Sequence, residues 1–386
     1  MVTTPSQKGK ASAKQGLLRS RRNWLNFALL LGSVLVIVVG LEIAVRIVNA
    51  FDNNYLDELV NFQHVRTGRD LTLADLIRPV EDDLIVYELR PEIQGRFLGR
   101  EVSINSHGMR GPERSLEKDP DVFRIVGLGD SQMFGWGVAQ EDTFLARLEV
   151  TLNEGQEDGR YEIINLAVPG YNTVQEVRSF AGRIEELDPD MIIINYVDND
   201  MDLPNFLARR RDPFKLKKSY LAELVKRRYV ILRGSSLLPI SLTGVPLNEE
   251  SLRFTMPEDR IPDRFRPLFG RENMIAAFSR LAVIARSRGI PVVLLLNMDD
   301  YSHRLEGRTP TVLPWPVRHL AEFCEKEGYI IVDPQDRIMD YLTNNSLRTQ
   351  DLWIGERDSH PNRIRHKLVA EELFERLRDD GLTAHR

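Results

Sequence analysis

The chain has 386 residues, 42% of them hydrophobic, which is enough for one large domain or two small ones with a sizeable core. Six cations and no acids precede residue 23, so the rest carries a formal net charge of −11 against −5 for the whole chain. An acidic globular part excludes a general nucleic-acid binder. The single cysteine, Cys324, excludes an intramolecular disulfide, and we expect it to be a buried apolar residue.

The first predicted element is a membrane-spanning helix at residues 23–48, after a basic cytoplasmic tail at 1–22. The stretch is almost entirely apolar, and a bilayer core needs about 20 such residues. Since cations before a span keep the N-terminus inside, we predict an uncleaved signal anchor in the cytoplasmic membrane, with the remaining chain periplasmic or extracellular. A cleaved signal peptide is the alternative, because Val48-Asn49-Ala50 offers small residues for cleavage.

Residues 49–120 are predicted to form an irregular approach segment in front of a folded domain at 121–386. Within the segment we expect a short helix at 74–77 and an edge strand at 83–87. A second short strand begins at Val102 and ends in a glycine-bounded turn before Gly111.

From residue 121 onward, short apolar runs alternate with stretches of helical spacing. Nearly continuous apolar runs are typical of parallel strands that are buried on both faces. The alternation predicts an α/β fold, a three-layer α/β/α sandwich around a mainly parallel five-stranded sheet. The predicted strands are 124–128, 162–166, 191–196, 291–297 and 329–332, and the predicted helices are 143–153, 174–187, 272–288, 316–327 and 361–379.

A long insertion at about 201–270 interrupts this alternation. Between Arg209 and Arg233 it holds ten Lys or Arg residues against Asp212 and Glu223, a local charge of +8. One interpretation is a solvated basic helix that packs over the domain. The other is a surface that contacts anionic lipid headgroups or an anionic polymer.

Polar residues follow the ends of the predicted strands, where ligands bind in open α/β sheets. Gly129-Asp130-Ser131 comes directly after the first strand, which makes Ser131 a candidate nucleophile. A dinucleotide-binding turn would need glycine at 132, and the nucleophile elbow of α/β-hydrolases would need glycine at 133. Gln132 and Met133 stand there, so neither alternative fits.

Two further turns offer candidate hydrogen-bond donors for an oxyanion. Gly170 follows the second strand and presents an unhindered backbone N–H, although the same turn could serve only to start the next helix. Asn199 follows the third strand and can point its amide group to the same edge, with a plain turn as the alternative. The acidic run around Asp200 lacks the glycine and glutamate of an EF-hand loop, so we predict no metal site.

A candidate base stands near the C-terminus, in Asp358-Ser-His-Pro-Asn362. Asp358 can hold the imidazole tautomer while His360 takes the proton of a serine. The alternative is that Asp358 or Ser359 only caps the helix that follows. His366, inside that helix, is expected to pack rather than to react.

These four stretches together resemble the motif blocks of the SGNH (GDSL-type) hydrolase superfamily, and the resemblance covers about residues 100–380. Residues 105–111 also resemble a lead-in that is found in membrane-anchored members. By this resemblance Ser131 is the nucleophile, His360 the general base and Asp358 the residue that orients it. The oxyanion hole is then formed by the backbone N–H groups of Ser131 and Gly170 and the side chain of Asn199.

The resemblance implies a flavodoxin-like SGNH hydrolase fold and a serine esterase that needs no cofactor. Its substrate would be an ester-bearing small molecule, glycan or lipid, such as O-acetylated envelope carbohydrate, attacked through an acyl-enzyme. An O-acyltransferase of envelope polysaccharide would use the same residues, and a non-catalytic envelope or carbohydrate-binding protein on a hydrolase fold is the second alternative. Two positions depart from the family pattern: Val197 replaces a usual glycine, and Asp358 stands two rather than three residues before His360.

Overall fold

The computed structural model describes residues 7–51, 70–71, 73–155, 160–197, 199–204, 219, 221–222, 263–297, 315–356 and 358–383. The chain divides into two compact units. The first contains the N-terminal helix together with residues 219, 221 and 222, and the second contains the other described residues. The basic stretch between Arg209 and Arg233 therefore lies almost wholly outside the described residues, and both interpretations of its charge stay predictions.

The first unit contains the long helix α1 (Gln7–Phe51). Its stretch Asn23–Ile47 has a mean hydropathy of 2.6 and is not buried, so it is long and apolar enough to cross a membrane. A signal sequence near an N-terminus has the same properties. Toward the end of this stretch, one carboxylate oxygen of Glu42 accepts hydrogen bonds from Ser219 Oγ at 2.9 Å and from Leu221 N at 2.8 Å.

The second unit begins with two hairpins where the sequence predicts an irregular approach segment. Their elements are α2 (Leu73–Leu76), β1 (Ile77–Pro79), β2 (Tyr87–Leu89), β3 (Ile93–Phe97) and β4 (Arg100–Ile104). Strands β1 and β2 pair antiparallel, as do β3 and β4. The predicted edge strand at 83–87 is wrong, because residues 83–85 form a turn and Val86 has a φ of 68°, so the strand starts only at Tyr87.

A five-stranded, fully parallel sheet forms the centre of the second unit, with the order β6-β5-β7-β8-β9. Its strands are β5 (Val122–Leu128), β6 (Arg160–Asn165), β7 (Met191–Tyr196), β8 (Val292–Leu296) and β9 (Ile330–Val332). All five predicted strands are confirmed to within two residues. The order reverses direction at β5, which is the point where open α/β sheets bind their ligands.

Helices cover both faces of this sheet and complete the predicted three layers. They are α3 (Ser131–Phe134), α4 (Phe144–Asn153), α5 (Thr173–Ala181), α6 (Ile184–Leu187), α7 (Arg271–Arg288), α8 (Trp315–Lys326), α9 (Gln335–Asn344) and α10 (Arg363–Asp379). On one face α5, α7 and α8 share a core with alternate strand residues, and this core includes the buried Cys324. On the other face α4 packs against α10.

The sequence predicts one helix at 174–187, but the structure has two. Gly182 ends α5, and its N–H bonds back to the carbonyl groups of Arg178 and Phe180 before the chain restarts as α6. Glycine is a poor helix former, which accounts for the break at this position. Helix α9 was not predicted.

Candidate active site

Ser131 is the first residue of α3 and lies directly at the carboxyl end of β5. Asp130 caps the short helix, with Oδ1 accepting from Gln132 N at 2.8 Å. The reversal from strand to helix is so tight that a Cβ at Gly129 would lie 2.6 Å from the Cβ of Met133. Glycine is therefore required at 129 for Ser131 to stand at the edge of the sheet.

Three of the predicted residues form one series of hydrogen bonds. Nε2 of His360 lies 2.8 Å from Oγ of Ser131, and Nδ1 of the same ring lies 2.5 Å from Oδ1 of Asp358. A hydroxyl group, an imidazole and a carboxylate in this order can remove a proton from the serine and stabilise the resulting imidazolium. The Ser131 hydroxyl has a second, longer contact of 3.3 Å to Oδ2 of Asp130.

A hairpin near the C-terminus brings the imidazole and its carboxylate together. Strands β10 (Trp353–Gly355) and β11 (Asp358–Pro361) pair antiparallel in this hairpin. Oδ1 of Asp358 also accepts from the backbone N of His360 at 3.2 Å, so the carboxylate folds over the ring two residues ahead. Because of this local turn, Asp358 can bind the His360 ring although only one residue separates the two in sequence.

The cap of α10 is Asn362, whose side chain accepts from Ile364 N and Arg365 N. The alternative that Asp358 or Ser359 serves only as this cap is therefore wrong. His366 is buried, its ring stacks on Phe144 at 5.5 Å, and its Nδ1 accepts from Phe144 N at 3.2 Å. It packs, as expected from the sequence.

Trp136 is a residue of the site that the sequence did not reveal. Its indole ring stacks on His360, with 5.1 Å between the ring centres and 22° between the planes, and its Nε1 donates to Oδ2 of Asp358 at 3.2 Å. Phe97, from β3, contacts the same indole ring edge-on at 4.9 Å. Burial would raise the pKa of Asp358, but the hydrogen bonds and charge of His360, together with Trp136, keep that pKa below its usual value.

Arg110 holds the loop that carries Trp136. The guanidinium group is buried and donates to the backbone carbonyl groups of Phe134, Gly135 and Val138, with distances of 2.6 and 2.7 Å to the last two. It also lies over the Phe134 ring at 4.5 Å. Burial lowers the pKa of Arg110 to about 9, so the group stays charged at neutral pH. The predicted 105–111 lead-in thus supports the active-site loop.

The three predicted oxyanion donors follow three neighbouring strands, with Gly170 after β6, Ser131 after β5 and Asn199 after β7. The loop of Gly170 is tied to the nucleophile turn, because Val168 N donates to the carbonyl group of Gly129 at 3.0 Å. Gly170 has a φ of 81°, a conformation that favours glycine. The order of the strands therefore places the turn of Gly170 and the turn of Asn199 on opposite sides of Ser131.

The turn that carries Asn199 is fixed by the acid next to it. Oδ2 of Asp200 accepts from Val197 N at 2.8 Å, and the backbone carbonyl group of Asn199 accepts from Asp202 N at 2.9 Å. Val197, which replaces the usual glycine, is buried at 2% exposure. Its side chain therefore occupies interior space beside this turn.

A buried acid, Glu176, lies near this turn. Among the described residues no hydrogen bond reaches either oxygen of its carboxyl group. Burial raises the pKa of Glu176 well above its usual value, and the charges of Asp200 and Asp130 raise it further. Over the described part of the chain, no group of three or more His, Cys, Asp or Glu side chains could hold a metal ion.

A family model described as the GDSL-like lipase/acylhydrolase family matches residues 128–368, which is more than half of the chain. The chain belongs to this family. This GDSL-like protein is thus an ester-bond hydrolase, and the matched residues include Ser131, Gly170, Asn199, Asp358 and His360.

Solved structures of GDSL-type and other esterases are similar to this GDSL-like chain. The psychrotrophic esterase EstA from a Pseudoalteromonas species is 14% identical, with 67% of this chain and 99% of that chain covered and a TM-score of 0.36. The acetylxylan esterase Axe2 from Geobacillus stearothermophilus is 14% identical (66% and 93% covered, TM-score 0.37), and a lipolytic G-D-S-L protein from Veillonella parvula is 11% identical (65% and 96% covered, TM-score 0.35). At these values the likeness carries no information about substrate. No curated protein matches the sequence.

Proposed function

We propose that the protein is a membrane-anchored serine esterase that removes acyl groups, O-acetyl groups among them, from carbohydrate or lipid of the cell envelope. The hydrogen-bonded series from Ser131 through His360 to Asp358, with distances of 2.8 and 2.5 Å, carries the proposal. Membership of an ester-hydrolase family supports the reaction type.

In the first half of the reaction, Oγ of Ser131 attacks the ester carbonyl carbon while Nε2 of His360 takes the hydroxyl proton. Asp358 accepts from the Nδ1–H group, so Nε2 carries no proton and can act as the base, and the carboxylate then stabilises the imidazolium that forms. The negative charge on the former carbonyl oxygen is met by the N–H groups of Ser131 and Gly170 and by the Asn199 amide. His360 then gives its proton to the leaving alcohol oxygen, and the C–O bond breaks to leave an acyl-enzyme.

In the second half, a water molecule attacks the acyl-enzyme while His360 takes one of its protons. The tetrahedral intermediate collapses, the bond to Oγ breaks, and His360 returns the proton to Ser131. The products are a carboxylic acid and the free enzyme. A sugar hydroxyl in place of water would instead give acyl transfer, with the same residues in the same roles.

The apolar stretch of α1 supports an anchor in the cytoplasmic membrane, with the basic tail inside and the hydrolase domain, 121–386, outside. Glu42 lies in this stretch and accepts from Ser219 and Leu221. This contact supports a role for the insertion at the outer surface of the cytoplasmic membrane, where the cations between Arg209 and Arg233 would meet anionic headgroups.

A fusion of alkaline phosphatase to the C-terminus tests this orientation, because that enzyme is active only outside the cytoplasm. We expect phosphatase activity from the fusion, and an inactive fusion would contradict the proposed orientation.

The experiment that tests the esterase proposal compares the full-length protein in detergent with Ser131→Ala. We expect fluorophosphonate labelling and hydrolysis of p-nitrophenyl acetate in the wild type, and a loss of about 10⁴-fold or more in kcat in the variant. Ser287→Ala, which removes an exposed serine on α7, is the matched control and should keep both signals. An unlabelled wild type would refute the serine nucleophile. Labelling without hydrolysis, restored by an added sugar acceptor, would indicate a transferase.

A further inference from the structure

A tyrosine from outside the family-matched region holds the peptide group that precedes Gly170. Oη of Tyr87 donates to the carbonyl oxygen of Pro169 at 3.0 Å, and this hydrogen bond is buried. Tyr87 is the first residue of β2, whereas the family match begins at residue 128. Tyr87 as a whole is 1% exposed and the hydrogen bond is buried, so water does not compete for the carbonyl group.

The carbonyl group that Tyr87 binds belongs to the same peptide as the N–H of Gly170. A trans peptide group is planar, and its C=O and N–H point in opposite directions. Fixing the Pro169 oxygen therefore fixes the direction of the Gly170 N–H. Such a constraint matters at Gly170, because glycine at a φ of 81° has little preference of its own for one orientation of the peptide.

The tyrosine is itself locked by a second one. Oη of Tyr171 donates to the backbone carbonyl group of Tyr87, and the two rings pack at 5.2 Å with 62° between their planes. Burial, together with the nearby Tyr171 hydroxyl and Asp130 carboxyl groups, keeps the pKa of Tyr87 well above its usual value, so its hydroxyl group keeps the proton that it donates. Each ring thus anchors the backbone beside the other.

The hairpin that carries Tyr87 is fastened to the helix that follows Gly170. Nε2 of Gln175, on α5, donates to the carbonyl group of Ile85 at 2.6 Å. Arg178, one turn further on, pairs with Asp82 at 2.9 Å. The β1–β2 hairpin, the Gly170 turn and α5 therefore hold one another at the edge of the sheet.

We propose that Tyr87 is a positioning residue for the oxyanion hole: through the Pro169 carbonyl group, its hydroxyl aims the Gly170 N–H at the oxygen that becomes negatively charged. The inference rests on the proposed esterase function, since only acyl transfer creates that charge. It assigns a role in the reaction to the N-terminal hairpin, which contributes no reacting group.

The test is Tyr87→Phe in the full-length protein, assayed on p-nitrophenyl acetate. Loss of a whole oxyanion donor costs about 10²–10³ in kcat. Tyr87→Phe keeps the Gly170 N–H but loosens its direction, so we expect a kcat loss of about 10-fold, a KM within about twofold of wild type and an unchanged pH profile. The pH profile should not move, because His360 and Asp358 are untouched.

Tyr329→Phe is the matched control. Oη of Tyr329 also donates to a buried backbone carbonyl group, that of Phe278 at 2.7 Å, in the core shared by α7 and α8. It should lower the melting temperature about as much as Tyr87→Phe while kcat stays at the wild-type value. Equal kcat values in Tyr87→Phe and wild type, or a raised KM with unchanged kcat, would overturn the inference.

The outcomes separate the inference from the function on which it rests. A wild type that neither labels nor hydrolyses esters overturns both, whereas an active wild type with an equally active Tyr87→Phe overturns the inference alone. Should Tyr87→Phe fail to fold, Tyr171→Phe loosens the same tyrosine less directly. A several-fold lower kcat at unchanged KM then supports the positioning role, and an unchanged kcat overturns it.

Discussion

Replacing Trp136 by phenylalanine separates the two contacts that this residue makes. Phenylalanine keeps an aromatic ring against His360 but removes the Nε1–H that donates to Oδ2 of Asp358 at 3.2 Å. A hydrogen bond to a charged group contributes about 1.5–3 kcal/mol, and the 38% exposure of the Asp358 side chain lets water replace part of it. A residual effect of about 1.4 kcal/mol corresponds to a kcat about 10-fold lower.

Trp136→Ala removes the ring as well. The stacked indole face stabilises the imidazolium that forms on His360 in the transition state, a contact worth about 0.5–2 kcal/mol. We therefore expect a loss of about 10²-fold in kcat for this variant. Both losses should appear in kcat more than in KM, because the imidazolium and its carboxylate partner matter only as the reaction proceeds.

The assay is p-nitrophenyl acetate hydrolysis by wild type, Trp136→Phe and Trp136→Ala across a range of pH, with melting temperatures measured in parallel. Without the indole N–H the pKa of Asp358 moves up toward its usual value, which is still acidic, so the carboxylate stays charged wherever the imidazole can act as a base, and kcat should fall by the same factor across neutral pH. Equal kcat values in all three proteins, at similar melting temperatures, would refute the role assigned to Trp136.

Three further predictions concern the surroundings of the site. Asn199→Ala should lower kcat by about 10²–10³ with little change in stability, and a loss confined to KM would contradict an oxyanion role. Arg110→Met leaves buried carbonyl groups without a donor, so we expect the free energy of unfolding, measured by urea titration, to fall by about 3 kcal/mol or more. A fall of less than about 1 kcal/mol would contradict this prediction. Burial raises the pKa of Glu176 above the usual glutamate value of 4.5, so the folded wild type holds a proton that the unfolded chain releases. The melting temperature of the wild type should therefore fall as the pH rises from 4.5 toward the raised pKa, and that of Glu176→Gln should not. Parallel curves for the two proteins would contradict the raised pKa.

The sheet could be predicted because strands buried on both faces leave a continuous apolar run in the sequence. The same rule failed at 83–87, where an apolar run is held in a turn by the preceding acid. Oδ1 of Asp82 accepts from Leu84 N at 2.8 Å, and its carbonyl group accepts from Val86 N at 2.8 Å. A turn that is held by a side-chain hydrogen bond depends on local geometry, and the pattern of hydrophobic residues does not indicate it.

The three groups proposed to react could be proposed from the sequence because their side chains are chemically distinctive and because Ser131 directly follows an apolar strand. The residues that support these groups could not be predicted, because the sequence does not show which distant group an aromatic or arginine side chain will contact. Trp136 is 222 residues from Asp358 in sequence, Tyr87 is 82 from Pro169, and Arg110 is 24 from Phe134. These pairings exist only once the chain has folded.

The two N-terminal hairpins extend the shortest segment of the chain that we expect to be active. A chain cut at residue 121, in front of the family-matched region, would keep every residue that is proposed to react. It would lose Tyr87, which holds the Pro169 carbonyl group, Phe97, which packs on Trp136, and Arg110, which ties down the 134–138 loop. Truncation for expression, or transplantation of the catalytic module into another protein, should therefore begin near residue 70.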